Sequence, residues 1–196
     1  MSLIMVIDLK KCIGCNACAN NCKQEHGTPP GITRAKVVKK EEGVYPTCTR
    51  ISLPLLCMHC ENAPCVDACP SGASQRDPQT GVVTADKDQC IGCKACIVAC
   101  PYGARYYRAD NKGYFGDTLT PYEQVMYKDM PKGVVDKCDF CADRRRQGLE
   151  PACVQSCIAG ARYFGEKEDL FELIKRRNGY QLRPELGTNP SVWYLP

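Results

Sequence analysis

The chain has 196 residues, enough for one large domain or two small ones, and carries seventeen cysteines beside only four Phe and one Trp. Large side chains this scarce build a thin organic core, so disulfides or metal must supplement it. The formal charge of +4 comes without a basic stripe interleaved with aromatics, which argues against nucleic-acid binding, and no apolar run approaches the ~18 residues of a spanning helix, which predicts a soluble chain.

The N-terminus lacks the basic region and long apolar stretch of a signal peptide. Met5 to Lys11 reads as a short strand running into a loop. Cys12, Cys15, Cys18 and Cys22 follow, with Gly14 and Ala17 small enough to let backbone N–H groups approach a bound group. Residues 23–56 read as a connector with a hairpin: Thr28 to Gly31 makes a turn, and Arg34–Lys40 pairs with Val44–Leu53 across Glu41-Glu42-Gly43. Cys48 belongs to no group and reads as a small buried hydrophobe. The second group is Cys57, Cys60, Cys65 and Cys69, then Pro70. A turn at Asp77–Gly81 and a strand at Val82–Thr84 lead to the third group, Cys90, Cys93, Cys96 and Cys100, then Pro101.

Residues 109–135 read as a surface insertion, with a short helix capped by Thr120 and started by Pro121. Val134–Lys137 makes another strand before the fourth group, Cys138, Cys141, Cys153 and Cys157. Gly160-Ala161-Arg162-Tyr163-Phe164 after this group echoes Gly103-Ala104-Arg105-Tyr106-Tyr107 after the third, with a fainter copy at Gly72-Ala73, so strand, cysteines and Gly-Ala-strand form an internal repeat. Glu166–Arg177 reads as a helix with Leu170, Phe171, Leu173 and Ile174 on one side. The tail, Gln181 to Pro196, reads as extended on a surface of this chain or another.

Cysteines two and three residues apart are too close for a framework of long-range disulfides. Four structural zinc ions are the competing reading, but zinc sites use two Cys-x-x-Cys knuckles across a longer loop, which only the fourth group resembles. The first and third groups carry the Cys-x-x-Cys-x-x-Cys-x-x-x-Cys run of bacterial ferredoxins, in which the fourth cysteine ligates a second cluster. All sixteen grouped positions are cysteine, so four [4Fe-4S] clusters are expected. Each adds about −2, bringing the loaded protein to about −4, so the lysines and arginines read as counter-charge. The second and third groups adjoin, which pairs Cys57, Cys60 and Cys65 with Cys100, and Cys90, Cys93 and Cys96 with Cys69. The first and fourth then pair around them: Cys12, Cys15 and Cys18 with Cys157, and Cys138, Cys141 and Cys153 with Cys22. Pairing first with second and third with fourth is the less economical alternative. The fold class is α+β, two nested ferredoxin-like modules, loop-rich. Residues 1–56 and 131–165 form the outer module, 57–108 the inner one, 109–130 the insertion, and 166–196 a helix and tail at a subunit interface.

The four groups, the Cys57-Met58-His59-Cys60-Glu61-Asn62-Ala63-Pro64-Cys65 segment and the tail from Gly187 to Tyr194 together resemble the iron–sulfur subunit of DMSO-reductase-family molybdoenzymes. Polysulfide, thiosulfate and arsenate reductases and pyrogallol–phloroglucinol transhydroxylase share it. The resemblance implies the nested pairing and a wire of four clusters. It also implies docking on a large subunit with a bis-pterin molybdenum or tungsten cofactor, and in some relatives a quinone-binding membrane subunit. By that carry-over the Cys12–Cys157 cluster faces the catalytic subunit and the Cys69–Cys90 cluster the distal partner, which is a membrane subunit or a soluble redox protein. The chain is then a non-catalytic electron-transfer subunit, cytoplasmic or exported folded with its partner to the periplasmic face. A relay polyferredoxin of a hydrogenase- or formate-linked complex is the alternative. Among the other residues, His59 reads as a backbone hydrogen-bond partner or filler and His26 as a solvated loop residue. Arg144–Arg146 read equally as partner contact or charge balance, and Tyr106, Tyr107, Tyr163 and Phe164 as strand core.

Overall fold

The computed structural model describes residues 2–196. Strand β1 (Leu3–Asp8) leads to helix α1 (Ala17–Glu25), the hairpin β2 (Ala35–Val44) and β3 (Thr47–Leu56), helix α2 (Pro64–Asp67), strands β4 (Ser74–Arg76) and β5 (Val83–Ala85), and helix α3 (Ala95–Ala99). Then come β6 (Tyr106–Tyr107), helix α4 (Pro121–Met126), β7 (Val135–Asp136), helices α5 (Ala142–Arg146) and α6 (Ala152–Gln155), β8 (Arg162–Glu166), helix α7 (Lys167–Arg176) and β9 (Val192–Leu195). Elements this short do not persist alone in water, so each depends on what it packs against.

Aspartates set the entry to two of the cysteine loops. Asp8 ends β1 and its carboxylate accepts the N–H groups of Lys10 and Lys11 at 3.0 and 3.1 Å. Asp86 follows β5 and accepts from Asp88 and Gln89 at 2.8 and 3.3 Å. In both places an aspartate four residues ahead of the first cysteine turns a strand end into a ligand loop. Both loops then run through a glycine at φ 68°, Gly14 and Gly92, and a residue at φ 65°, Asn16 and Lys94, before α1 and α3 begin. A Cβ on Gly92 would collide with the Gly133 carbonyl oxygen, so only glycine fits there.

β1 lies at the centre of a three-stranded sheet, antiparallel to β8 and parallel to β9. Helix α1 packs on α6 and α2 on α3, while β4 pairs with β5 and β6 with β7. The short strands expected before and after the cysteine groups are therefore present. The tail differs from its reading as a surface segment. Val192, Tyr194 and Leu195 are fully buried, and β9 registers Met5 with Val192 through Asp8 with Leu195. Its four residues bury both faces of the strand, so they carry no alternation to announce it.

The hairpin turns at Tyr45-Pro46, not at Glu41-Glu42-Gly43, which lie inside β2. Its outer half is exposed on both faces, so no apolar pattern fixes the register. Cys48 sits there, exposed, and is not the buried hydrophobe its residue type suggests. In α7, Leu170, Leu173 and Ile174 pack with Ile4, Val6 and Leu195, but Phe171 is 48 % exposed. Within 109–135, Thr120 and Glu123 form a capping box around α4, and the backbone N–H groups of Thr120 and Tyr114 hold the Glu123 carboxyl down to about 2. Glu123, Tyr127 and Met130 are buried and anchor this largely exposed segment.

One buried ion pair ties the hairpin's base to β7. Arg34 donates through Nε and Nη2 to both carboxylate oxygens of Asp136 at 2.7 and 2.6 Å, with both side chains buried. Removing one partner of such a pair costs about 3–5 kcal/mol, because it strands the other charge. Arg34→Ala is therefore expected to lower the melting temperature of the loaded protein by about 10 °C. A melt within about 2 °C of the parent's would show that the pair contributes little.

Candidate metal centre

All seventeen cysteine thiols are free, so none is spent on a disulfide. Among the described residues, no group of three or more His, Cys, Asp or Glu side chains closes on a point as one metal ion requires. The thiols instead gather in looser groups. Cys12, Cys15, Cys18 and Cys157 line one cavity, and Cys69, Cys90, Cys93 and Cys96 line another. Cys57, Cys65 and Cys100 act on the Cys60 thiol, and Cys153 and Cys141 act on Cys22. Cys138 in turn feels Cys22 and, across to the next group, Cys57. The nested pairing would close one cluster on each set.

Two of these sets are more buried than the others, although Cys100 in one of them is only half-buried. Cys22, Cys138, Cys141 and Cys153 are all buried, as are Cys57, Cys60 and Cys65, whereas Cys15 and Cys93, in the other two sets, are exposed. Burial pushes the thiols up: Cys60 and Cys141 to about 12, and Cys138 well above its ordinary value. Cys69 is the reverse case, brought down to about 7 by the Ser74 N–H and the Ser71 side chain against the opposing effect of burial. Buried neighbouring thiols give up their protons only to a strong positive charge, and metal ligation displaces those protons.

The surroundings fit a thiolate-bound anionic cluster. Backbone N–H groups point at three thiols: Ser74 at Cys69 Sγ (3.3 Å), Ala161 at Cys157 Sγ (3.3 Å) and Phe140 at Cys138 Sγ (3.5 Å). Arg105 is buried with its Nε and Nη2 unpartnered, a state that calls for an adjacent negative charge. Cys153 feels Cys18, and Cys138 feels Cys57, so neighbouring quartets adjoin.

His59 serves as a backbone hydrogen-bond partner. It is fully buried, accepts the Val83 N–H on Nδ1 at 3.0 Å and stacks on Phe140 at 3.7 Å between ring centroids. Burial lowers its pKa, so it is neutral. His26 is not a solvated loop residue: its Nε2 lies 3.2 Å from Cys141 Sγ. The signal for this was its place four residues after Cys22, one turn on along α1. Arg144 and Arg145 are spent inside the chain. Arg144 pairs with Glu25 at 3.1 Å and donates to the Glu150 carbonyl, while Arg145 donates to the Phe140 carbonyl.

Comparison with known proteins follows the same lines. The 4Fe-4S dicluster domain matches residues 48–116 and 117–167, and a 4Fe-4S binding domain matches residues 9–25. A subunit of the selenate reductase of Mesobacillus selenatarsenatis is 40% identical, covering 98% of this chain and 71% of its own length. The arsenate respiratory reductase iron-sulfur subunit ArrB of Shewanella sp. strain ANA-3 is 38% identical, covering 100% of this chain and 96% of its own. The chain belongs to this family of iron–sulfur subunits. A putative dimethyl sulfoxide reductase iron-sulfur subunit of Halobacterium salinarum is 39% identical, covering 97% of this chain and 78% of its own. The resemblance seen in the cysteine pattern thus holds over nearly the whole chain. As an iron–sulfur subunit it carries multiple [4Fe-4S] clusters, and its role is electron transfer. No helix among the described residues is long and apolar enough to cross a membrane.

Proposed function

We propose that this subunit relays single electrons through four [4Fe-4S] clusters, between a catalytic subunit holding a bis-pterin molybdenum or tungsten cofactor and a quinone-linked membrane subunit or soluble redox partner. The clusters are held by Cys12, Cys15, Cys18 and Cys157; by Cys22, Cys138, Cys141 and Cys153; by Cys57, Cys60, Cys65 and Cys100; and by Cys69, Cys90, Cys93 and Cys96. Each bound cluster takes up and releases one electron. The outer module (1–56 with 131–165) wraps the inner one (57–108), which accords with α1 packing on α6 and α2 on α3. The observation that supports the reading most is that thiols of different groups act on one another, Cys153 with Cys18 and Cys138 with Cys57, while Cys15 and Cys93 of the two remaining runs are exposed.

Both open ends suit docking. Ile13 and Ile158, each next to a cysteine of the first set, are 66% and 77% exposed, and Ile91 and Val98 beside the last set are 68% and 88% exposed. Apolar side chains held in solvent around an outer cluster are what a partner surface would cover. The expected compartment is the cytoplasm, or the periplasmic face after export of the folded complex.

Anaerobic purification of the native complex tests this. About sixteen iron and about sixteen sulfide per chain are expected, in the same peak as a pterin-containing large chain. A monomer that runs alone and still shuttles electrons would remove the catalytic partner from the reading. A colourless protein with stoichiometric zinc would remove the clusters.

A further inference from the structure

Two buried arginines stand where quartets adjoin. Arg162, the first residue of β8, is 5% exposed, with Nη2 3.4 Å from Cys18 Sγ and Nη1 3.4 Å from Met5 Sδ. It lines the cavity of the Cys12 set, and Cys153 of the Cys22 set lies beside its guanidinium. Arg105 is 4% exposed and lines the cavity of the Cys90 set, and Cys65 of the Cys57 set lies beside its guanidinium. Its Nη1 donates to Ser74 Oγ at 2.7 Å, and Nε and Nη2 are left without a protein partner. Among the described residues neither guanidinium pairs with a carboxylate. The two hold the same place in the internal repeat, third in Gly103-Ala104-Arg105 and in Gly160-Ala161-Arg162.

A guanidinium does not shed its proton to escape burial, so each must be compensated by an anion. Here the anions within reach are the thiolate-bound clusters on either side. We propose that Arg162 and Arg105 are shared charge bridges: Arg162 serves the Cys12 and Cys22 clusters, Arg105 serves the Cys57 and Cys90 clusters, and each raises the reduction potential of both its neighbours. One-electron reduction adds one negative charge to a cluster and breaks no bond in the protein, so a fixed cation beside it favours the reduced form. A bridge touching two clusters moves their potentials in the same direction, so the step between them changes little. The arginines are positioning residues that never carry the electron. Next to Cys138 lies a further buried basic side chain, Lys137, whose Nζ donates to the carbonyls of Val83 and Cys138.

The inference rests on the cluster pairing proposed above, which cysteine replacements test separately. Redox titration of the loaded protein in its complex, followed by EPR, tests the bridges. Arg105→Gln is expected to lower the potentials of the Cys57 and Cys90 clusters together and leave the other two in place. Arg162→Gln is expected to do the reverse. Arg105→Lys and Arg162→Lys, which keep the charge, should retain most of the parent's potentials. Unmoved potentials, a shift in one flanking cluster alone, or a lysine variant as low as the glutamine variant would each overturn the proposal. Where a glutamine variant assembles incompletely, both flanking signals should be lost together and return with lysine. Loss of one alone, or loss that lysine does not repair, counts against the bridges.

Discussion

The iron-free chain is expected to show no cooperative unfolding transition. Its main core contains the thiols of Cys18, Cys57, Cys60, Cys65, Cys96, Cys138 and Cys153 among only a few large side chains such as Met5, Ile7, Leu56, Phe140 and Tyr194. Every helix around the quartets except α1 has four or five residues, far below the ~12–15 at which an isolated helix becomes marginal. β4 and β5 have three residues each, and β6 and β7 two. Ligation must therefore supply what the apolar core does not. A structural metal site contributes about 10–16 kcal/mol, while a whole domain is stable by about 5–15 kcal/mol, so losing even one site is comparable to losing the fold. The measurement is a thermal melt followed by circular dichroism, on protein made without iron and kept reduced. A sharp transition with a heat of unfolding proper to a domain of this size would show that the polypeptide folds first and the clusters merely occupy it.

The cysteine loops are legible in the sequence because everything that shapes them is local. Spacing places the ligands, Gly14 and Gly92 allow the left-handed turn, and Asp8 and Asp86 bend the chain a few residues ahead. The matching offset of the two aspartates from Cys12 and Cys90 is visible in the sequence, but only the folded loops show what it does. What stays hidden depends on distant partners. β9 is a strand only because β1 offers its edge, some 190 positions earlier in the chain, and a four-residue apolar run is silent on that. In the sequence Arg34, Arg105 and Arg162 read as generic counter-charge, and in the fold they are buried beside particular carboxylates and thiols. Cys48 misleads in the opposite sense. Its residue type favours burial, but the ribbon that carries it is exposed on both faces.

Replacing Cys100 is expected to destroy the cluster of Cys57, Cys60 and Cys65, and to spare the cluster of Cys90, Cys93 and Cys96. Helix α3 starts just before Cys96 and ends at Ala99, and at Cys100 the backbone leaves the helical spiral with ψ 109°. By the proposed pairing the two thiols, one turn apart, serve different sets. Cys57, Cys65 and Cys100 all act on Cys60, whereas the cavity of the Cys90 set is lined by Cys69 and not by Cys100. In Cys100→Ala the Cys57 cluster keeps three ligands, so its EPR signal is lost or converted to a three-iron form, and at most about four of about sixteen irons leave. The Cys90 signal persists. That cluster is then cut off from the Cys22 cluster by the damaged station, so electron flow through the complete complex should fall to background while the outer cluster still reduces. Cys69→Ala should give the mirror result, with the Cys90 signal lost and the Cys57 signal kept. If Cys100→Ala instead erased the Cys90 signal, each run would close its own cluster. The nested arrangement would then be wrong, because a run that ligates one cluster joins no two stations of a wire.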